Sequence, residues 1–178
     1  MKLLVMRHGE AQLVAPSDMH RALTEYGVEQ VQHTAQWLSE HILVDQTSID
    51  LALVSPFLRT RQTFAQLNSE LTIQQVESCP DIVPTSIASL AHDYLDAKIT
   101  SMHNPQCILL VSHMPFVSYF VDALCQERIA PVFATGAVAL IEYDTQLSRG
   151  KLVLINMAKS PEIHELLEYR IIESPNED

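Results

Sequence analysis

Lys2-Leu3-Leu4-Val5-Met6-Arg7-His8-Gly9 is the stretch from which the rest of the chain can be read. Residues 3–6 are apolar without interruption, the pattern of a strand buried on both faces in a parallel sheet. Its carboxyl end delivers a guanidinium, an imidazole and then a glycine, which lets the backbone turn and a ligand approach closely. Arginine is permanently charged and grips a phosphate through two parallel hydrogen bonds. Histidine can be neutral at pH 7, so a ring nitrogen is free to attack phosphorus. Arg7 and His8 are therefore candidates for phosphate chemistry, and their partners must come from elsewhere in the chain.

Apolar runs and helical faces alternate beyond this point. Val28, Val31, Ala35, Leu38 and Ile42 step by three and four residues, one face of a helix, with Thr24 as its N-cap. Residues 50–54 read as a second buried strand. In Ser55-Pro56, Ser is suited to cap and Pro to open a helix over 56–68. Residues 71–76 are a fainter strand. Ile87, Leu90, Ala91, Tyr94, Leu95 and Met102 mark a helix opened by Thr85. Residues 107–111 form a third strong strand, followed by His113 and by a helix carrying Val117, Phe120, Val121 and Leu124. Runs at 137–143 and 152–157, separated by a polar turn through Gly150, predict a hairpin or two adjacent strands. Ser160-Pro161 opens a last amphipathic helix. The alternation predicts an α/β fold of three α/β/α layers around a mostly parallel sheet, as one domain over 1–178 with a frayed tail at 173–178. Ligands in such sheets bind beyond the carboxyl ends of the strands. Arg7-His8, Arg59 and His113 all fall there.

A net charge of −11, from 22 acidic against 11 basic residues, argues against a nucleic-acid surface. It also makes each arginine at a strand end conspicuous. The three cysteines, Cys79, Cys107 and Cys125, are odd in number and lack metal-knuckle spacing. Cys107 and Cys125 fall in apolar patterns, so buried thiols in a reducing compartment are expected. The apolar run before Arg7 is too short for a signal-peptide core, and no run approaches the roughly 20 apolar residues of a membrane span. The expectation is a cytoplasmic protein without membrane contact. The remaining histidines show no metal-ligand spacing, and no Gly-rich phosphate loop or Gly-x-Ser-x-Gly elbow is present.

Arg59 sits in the first turn of its helix, where a cation opposes the helix dipole. A bound phosphate removes the conflict, because the arginine and the helix end both favour an anion. Gln62 and Thr63 share its face, whereas Arg61 points to solvent. Arg21 lies in a polar segment before the first helix and is a further candidate for an anion.

Arg7-His8-Gly9-Glu10, Leu23-Thr24-x-x-Gly27, Ser55-Pro56-x-x-Arg59-x-x-Gln62-Thr63 and Ser112-His113, in that order, resemble the histidine phosphatase superfamily, also called phosphoglycerate-mutase-like, to about residue 143. Ser55-Pro56-Phe57-Leu58-Arg59, Arg21 before Leu-Thr, and Val111-Ser112-His113-Met114-Pro115 look like the compact phosphohistidine phosphatases of the SixA type. The resemblance implies that His8 is the nucleophile, that Arg7, Arg59 and His113 bind the phosphoryl oxygens, and that Arg21 assists, with no metal or cofactor. Larger members carry an acid for the leaving alkoxide. Asp81 is the nearest candidate here and Glu77 the second. An imidazole leaving group relaxes that need. Only 49 residues (64–112) separate Thr63 from His113, too few for a large capping insertion. An open site admits a phosphorylated side chain on a folded protein. The expected substrate is phosphohistidine on a protein, such as a histidine-containing phosphotransfer domain, and the expected state a monomer. A broad small-molecule phosphomonoesterase and a non-catalytic phosphoprotein-binding module are the alternatives.

Overall fold

The structure, a computed structural model, describes residues 1–44, 48–127 and 129–157. Six strands, β1 (Lys2–Arg7), β2 (Leu51–Val54), β3 (Val76–Ser78), β4 (Cys107–Ser112), β5 (Val138–Asp144) and β6 (Arg149–Asn156), form one sheet in the order β3-β2-β4-β1-β5-β6. β1 to β4 pair in parallel, and β5 and β6 add an antiparallel hairpin beyond β1. The sheet is thus mostly parallel, as the uninterrupted apolar runs of β1, β2 and β4 require of strands covered on both faces.

Four helices cover it: α1 (Glu25–Trp37), α2 (Leu58–Glu70), α3 (Ala88–Ser101) and α4 (Phe116–Cys125). Successive side chains of a strand face opposite layers. Leu3 and Val5 pack with Ala91 and Leu95 of α3 and Phe116 and Phe120 of α4. Leu4 and Met6 pack with Val31 and Ala35 of α1 and Leu67 of α2. The three-layer α/β/α arrangement follows from that alternation.

Thr24 caps α1 as expected, its hydroxyl accepting from the Gly27 amide at 2.9 Å. Gly27 has a second reason to be glycine. A Cβ there would lie 2.1 Å from the Glu10 carbonyl oxygen, and one on Gly9 would lie 2.4 Å from the Gly27 oxygen. The backbone after β1 is therefore laid directly on the first turn of α1, which fixes where His8 stands.

Several boundaries differ from the sequence reading. The third strand is at Val76–Ser78 rather than 71–76, with Ile73 making only an isolated bridge to Ile49. This edge strand is largely exposed, so it lacks an apolar signature. α2 begins at Leu58, and Ser55 is not its cap. α3 begins at Ala88 without a cap from Thr85, and Ile87 and Leu90 face solvent. Gly150 lies inside β6 opposite Tyr143, not in the turn. The helix expected from Ser160 and the frayed tail at 173–178 lie outside the described residues. Among the described residues, no helix is long and apolar enough to cross a membrane.

Candidate active site

Parallel pairing sets Arg7 at the end of β1 beside Ser112 at the end of β4, and the His8 amide donates to the Ser112 carbonyl at 3.0 Å. The two strand ends thereby deliver His8 and His113 to one place, with ring centroids 5.1 Å apart. β2 ends at Val54, and the turn through Ser55 and Phe57 brings in Arg59, second residue of α2. The Arg59 Nε–H donates to His8 Nε2 at 3.1 Å. His8 Nδ1 is 2.6 Å from the Gly9 carbonyl oxygen. A carbonyl only accepts, so Nδ1 carries the proton and Nε2 bears the lone pair. Burial first, and then Arg59, Arg7 and Arg21, push the His8 pKa down to about 4, outweighing the Gly9 carbonyl that favours the cation. His8 is a neutral, 93% buried imidazole with its basic nitrogen turned into a cluster of cations.

The other members are fixed by contacts of their own. Arg7 donates from Nη1 to the Phe133 carbonyl at 2.6 Å, while its buried Nε has no partner among the described residues. His113 Nε2 lies 2.7 Å from Ser55 Oγ, and its buried Nδ1 likewise has no partner among the described residues. Burial, followed by His8, Arg59 and Arg7, lowers the His113 pKa to about 2, so this ring too is neutral. In the tautomer whose Nε2 accepts from the Ser55 hydroxyl, Nδ1 carries the proton and can donate to an oxyanion. Phe57 supports both sides, its ring 4.8 Å from the His113 ring and 4.8 Å from the Arg59 guanidinium carbon. Arg59 on His8 Nε2, the His113 ring beside the His8 ring, and Arg7 next to His8 in the chain gather cationic and imidazole groups that can bind an oxyanion.

The sequence reading overlooked Asp18. Arg59 donates from Nη1 to its carbonyl at 2.6 Å and from Nη2 to its Oδ2 at 3.1 Å. Arg21 donates from Nη1 to its Oδ1 at 3.1 Å and from Nε to the Gln12 carbonyl at 2.5 Å. Partial burial opposes the Asp18 anion, but the hydrogen bonds from Arg59 and Arg21 prevail and its pKa falls. Asp18 therefore supplies the negative charge that a cation at the start of α2 calls for. The signal in the sequence was its position three residues before Arg21. Removing this carboxylate frees Arg59 to drift and also takes a repulsive charge from beside an anion site. Asp18→Ala is expected to lower kcat about tenfold while tightening inhibition by inorganic phosphate, with Asp18→Asn keeping most of kcat, as steady-state kinetics would show.

Other motif residues hold the frame. The Gln62 side-chain oxygen accepts from the Leu23 amide at 2.7 Å. Thr63 accepts from the Gly9 amide at 3.2 Å and donates to the Arg59 carbonyl at 2.8 Å. Glu10 accepts from the Thr24 hydroxyl at 2.9 Å. The candidate acids are not joined to the cluster. Glu77 is held by Lys98 at 2.7 Å and by the Tyr94 hydroxyl, which together lower its pKa. Asp81, exposed on the short turn Pro80–Ile82, makes no side-chain hydrogen bond or ion pair to His8, Arg7, Arg59 or His113. Cys79, Cys107 and Cys125 are free and buried, and burial raises all three thiol pKa values. Among the described residues, no group of three or more His, Cys, Asp or Glu is placed to hold a metal ion.

The geometry has counterparts in known proteins. Residues 3–83 match the family profile of the histidine phosphatase superfamily, branch 1. The phosphohistidine phosphatase SixA of Escherichia coli is 34% identical over 145 residues, 81% of this chain and 86% of the relative. The chain belongs to the histidine phosphatase superfamily. A SixA homolog of Haemophilus influenzae is 33% identical over 168 residues, 92% of this chain and 99% of the relative. Among solved structures of the superfamily, that of the protein histidine phosphatase SixA complexed with tungstate superposes with a TM-score of 0.80 at 33% identity, covering 89% of this chain and 97% of that one. Superfamily membership accounts for the shared fold and for the order of the Arg7-His8-Gly9, Arg59 and His113 stretches along the chain.

The two buried histidines make a pH dependence that differs from an ordinary surface histidine. An activity that uses unprotonated His8 Nε2 is expected to persist below pH 6 and to fall only as pH approaches about 4. Stability changes in the same direction. Unfolded histidine titrates near pH 6.5 and the folded forms titrate lower, so the unfolded chain binds more protons between these values. The Tm is expected to be level above pH 7 and to drop as pH falls from 6.5 to 4, by a few kcal/mol of stability, in thermal melts across that range.

Proposed function

We propose that the chain hydrolyses phosphohistidine on a protein, such as a histidine-containing phosphotransfer domain, through a covalent intermediate on His8. The observation that carries this reading is the unprotonated His8 Nε2, 3.1 Å from Arg59 Nε, with the His113 ring 5.1 Å from the His8 ring. In the first step His8 Nε2 forms a bond to phosphorus as the bond from phosphorus to the substrate's imidazole nitrogen breaks, and the imidazole, already protonated on its other ring nitrogen, takes the bonding electron pair and leaves neutral. In the second, water attacks phosphorus, the bond to Nε2 breaks, and inorganic phosphate is released with His8 restored. Charge on the transferring group spreads over three oxygens, which Arg7, Arg59 and His113 bind, with Arg21 at the rim.

The relatives named as phosphohistidine phosphatases support this substrate, and so does the local chemistry. A phosphomonoester releases an alkoxide that needs an acid. Glu77 is committed to Lys98 and Tyr94, Asp81 stands apart, and Asp18 is held ionised by two arginines. An imidazole leaves without such help. A binding module has no use for a nucleophilic nitrogen kept free of its proton. In this reading the enzyme acts as a cytoplasmic monomer on a signalling phosphoprotein, with free thiols as a reducing compartment keeps them. Turnover of a phosphorylated histidine-containing phosphotransfer domain against a panel of small phosphomonoesters tests it. The protein is expected to be preferred by at least about a hundredfold in kcat/KM, and equal or better turnover of the esters overturns the reading.

A further inference from the structure

Exposed large apolar side chains scattered singly mean little, but those that cluster around a site mean more. Four of them lie within two residues, along the chain, of a group that holds one of the arginines. Leu13, 90% exposed, follows Gln12, whose carbonyl accepts from Arg21. Val14, 87% exposed, extends the same loop. Met19, 46% exposed, follows Asp18, which holds Arg59. Val132, 73% exposed, precedes the fully buried Phe133, whose carbonyl accepts from Arg7. Two separate loops, 12–20 and 129–137, therefore carry apolar tips whose bases are bonded to the three arginines.

We propose that Leu13, Val14, Met19 and Val132 form an apolar docking rim for the protein that carries the phosphohistidine, a folded domain presenting that side chain from an apolar surface. The proposal rests on the phosphoprotein reading above and adds to it where the substrate protein is held. Its occupant follows from the geometry. His8 is 93% buried, and a phosphorylated histidine side chain is short. A folded carrier can reach His8 only by bringing its own surface against the loops that surround the site. A folded carrier that delivers the phosphoryl group therefore covers these residues, and water leaves their apolar surface as it does so. A small phosphoramidate needs only the cationic cup and gains nothing from the rim.

The two substrate classes give the test. Leu13→Asn and Val132→Asn are neutral, so they leave the field at His8 unchanged, and both positions are exposed. Kinetics of the double variant are compared with wild type on a histidine-phosphorylated phosphotransfer domain and on phosphoramidate. The expected result is a loss of about tenfold or more in kcat/KM on the protein, carried mainly by KM, with phosphoramidate turnover within about twofold of wild type. Unchanged turnover of the protein, or equal losses on both substrates, overturns the rim. A wild-type enzyme that turns over phosphoramidate and no phosphohistidine protein overturns the phosphoprotein reading, and the rim with it.

Discussion

His8→Ala is expected to abolish turnover, by roughly 10⁶-fold, the scale for deleting a covalent nucleophile, while leaving an oxyanion site largely intact. The remaining groups do not depend on His8 for their places. Arg7 is tied to the Phe133 carbonyl, His113 to Ser55, and Arg59 twice to Asp18. Arg59 loses its Nε contact and His113 its edge contact with the His8 ring, while their other anchors remain. The variant should therefore still bind tungstate or inorganic phosphate, and isothermal titration beside an activity assay separates the two properties. Loss of both together would mean that His8 organises the site rather than reacts in it. Removing a buried imidazole also leaves a void, but the β1–β4 pairing and the Gly9–Gly27 contact hold the backbone on either side.

Arg59→Ala is expected to cost about 10³-fold in kcat/KM, the upper range for one oxyanion donor in a preorganised site. Arg59→Lys should recover little of it. One planar guanidinium meets His8 Nε2, the Asp18 carbonyl and the Asp18 carboxylate at once, and an ammonium cannot span three such partners from one atom. The substitution to Ala also has a signature that a loss of packing would not give. Arg59 is one of the charges that depress the His8 pKa. Without it, the acid limb of the pH profile moves upward. An Arg59→Ala enzyme within tenfold of wild type, or with an unmoved acid limb, contradicts the role assigned to it.

The sequence was most legible where structure is local or fully buried. β1, β2 and β4 are covered on both faces, so their apolar runs stood out, and the ends of β1 and β4 pointed to His8 and His113. Thr24 capped its helix as read, because capping spans only three residues. Long-range pairings were not legible. Ser55 reads as a helix cap from its neighbour Pro56, yet it is fully buried and its hydroxyl faces His113, 58 residues away. Asp18 reads as a polar loop residue, yet it joins Arg21 to Arg59 across two elements. The acid expected at Asp81 or Glu77 was drawn from larger relatives. Here Lys98 and Tyr94 on α3 engage Glu77, and nothing in the cluster engages Asp81. β3 was misplaced because an exposed edge strand carries no apolar pattern, whereas α3 stands where its face predicted and only its start differs, since Ile87 suits a helical face while pointing to solvent.

The central claim is that the phosphoryl group passes onto His8 Nε2 before water takes it. Rapid quenching of the enzyme with a radiolabelled phosphohistidine protein, followed by peptide mapping, tests it most directly. The account predicts an acid-labile, alkali-stable phosphate on the peptide holding His8, appearing and decaying within a turnover. Turnover with no label on the enzyme, or label on any residue other than His8, would contradict it.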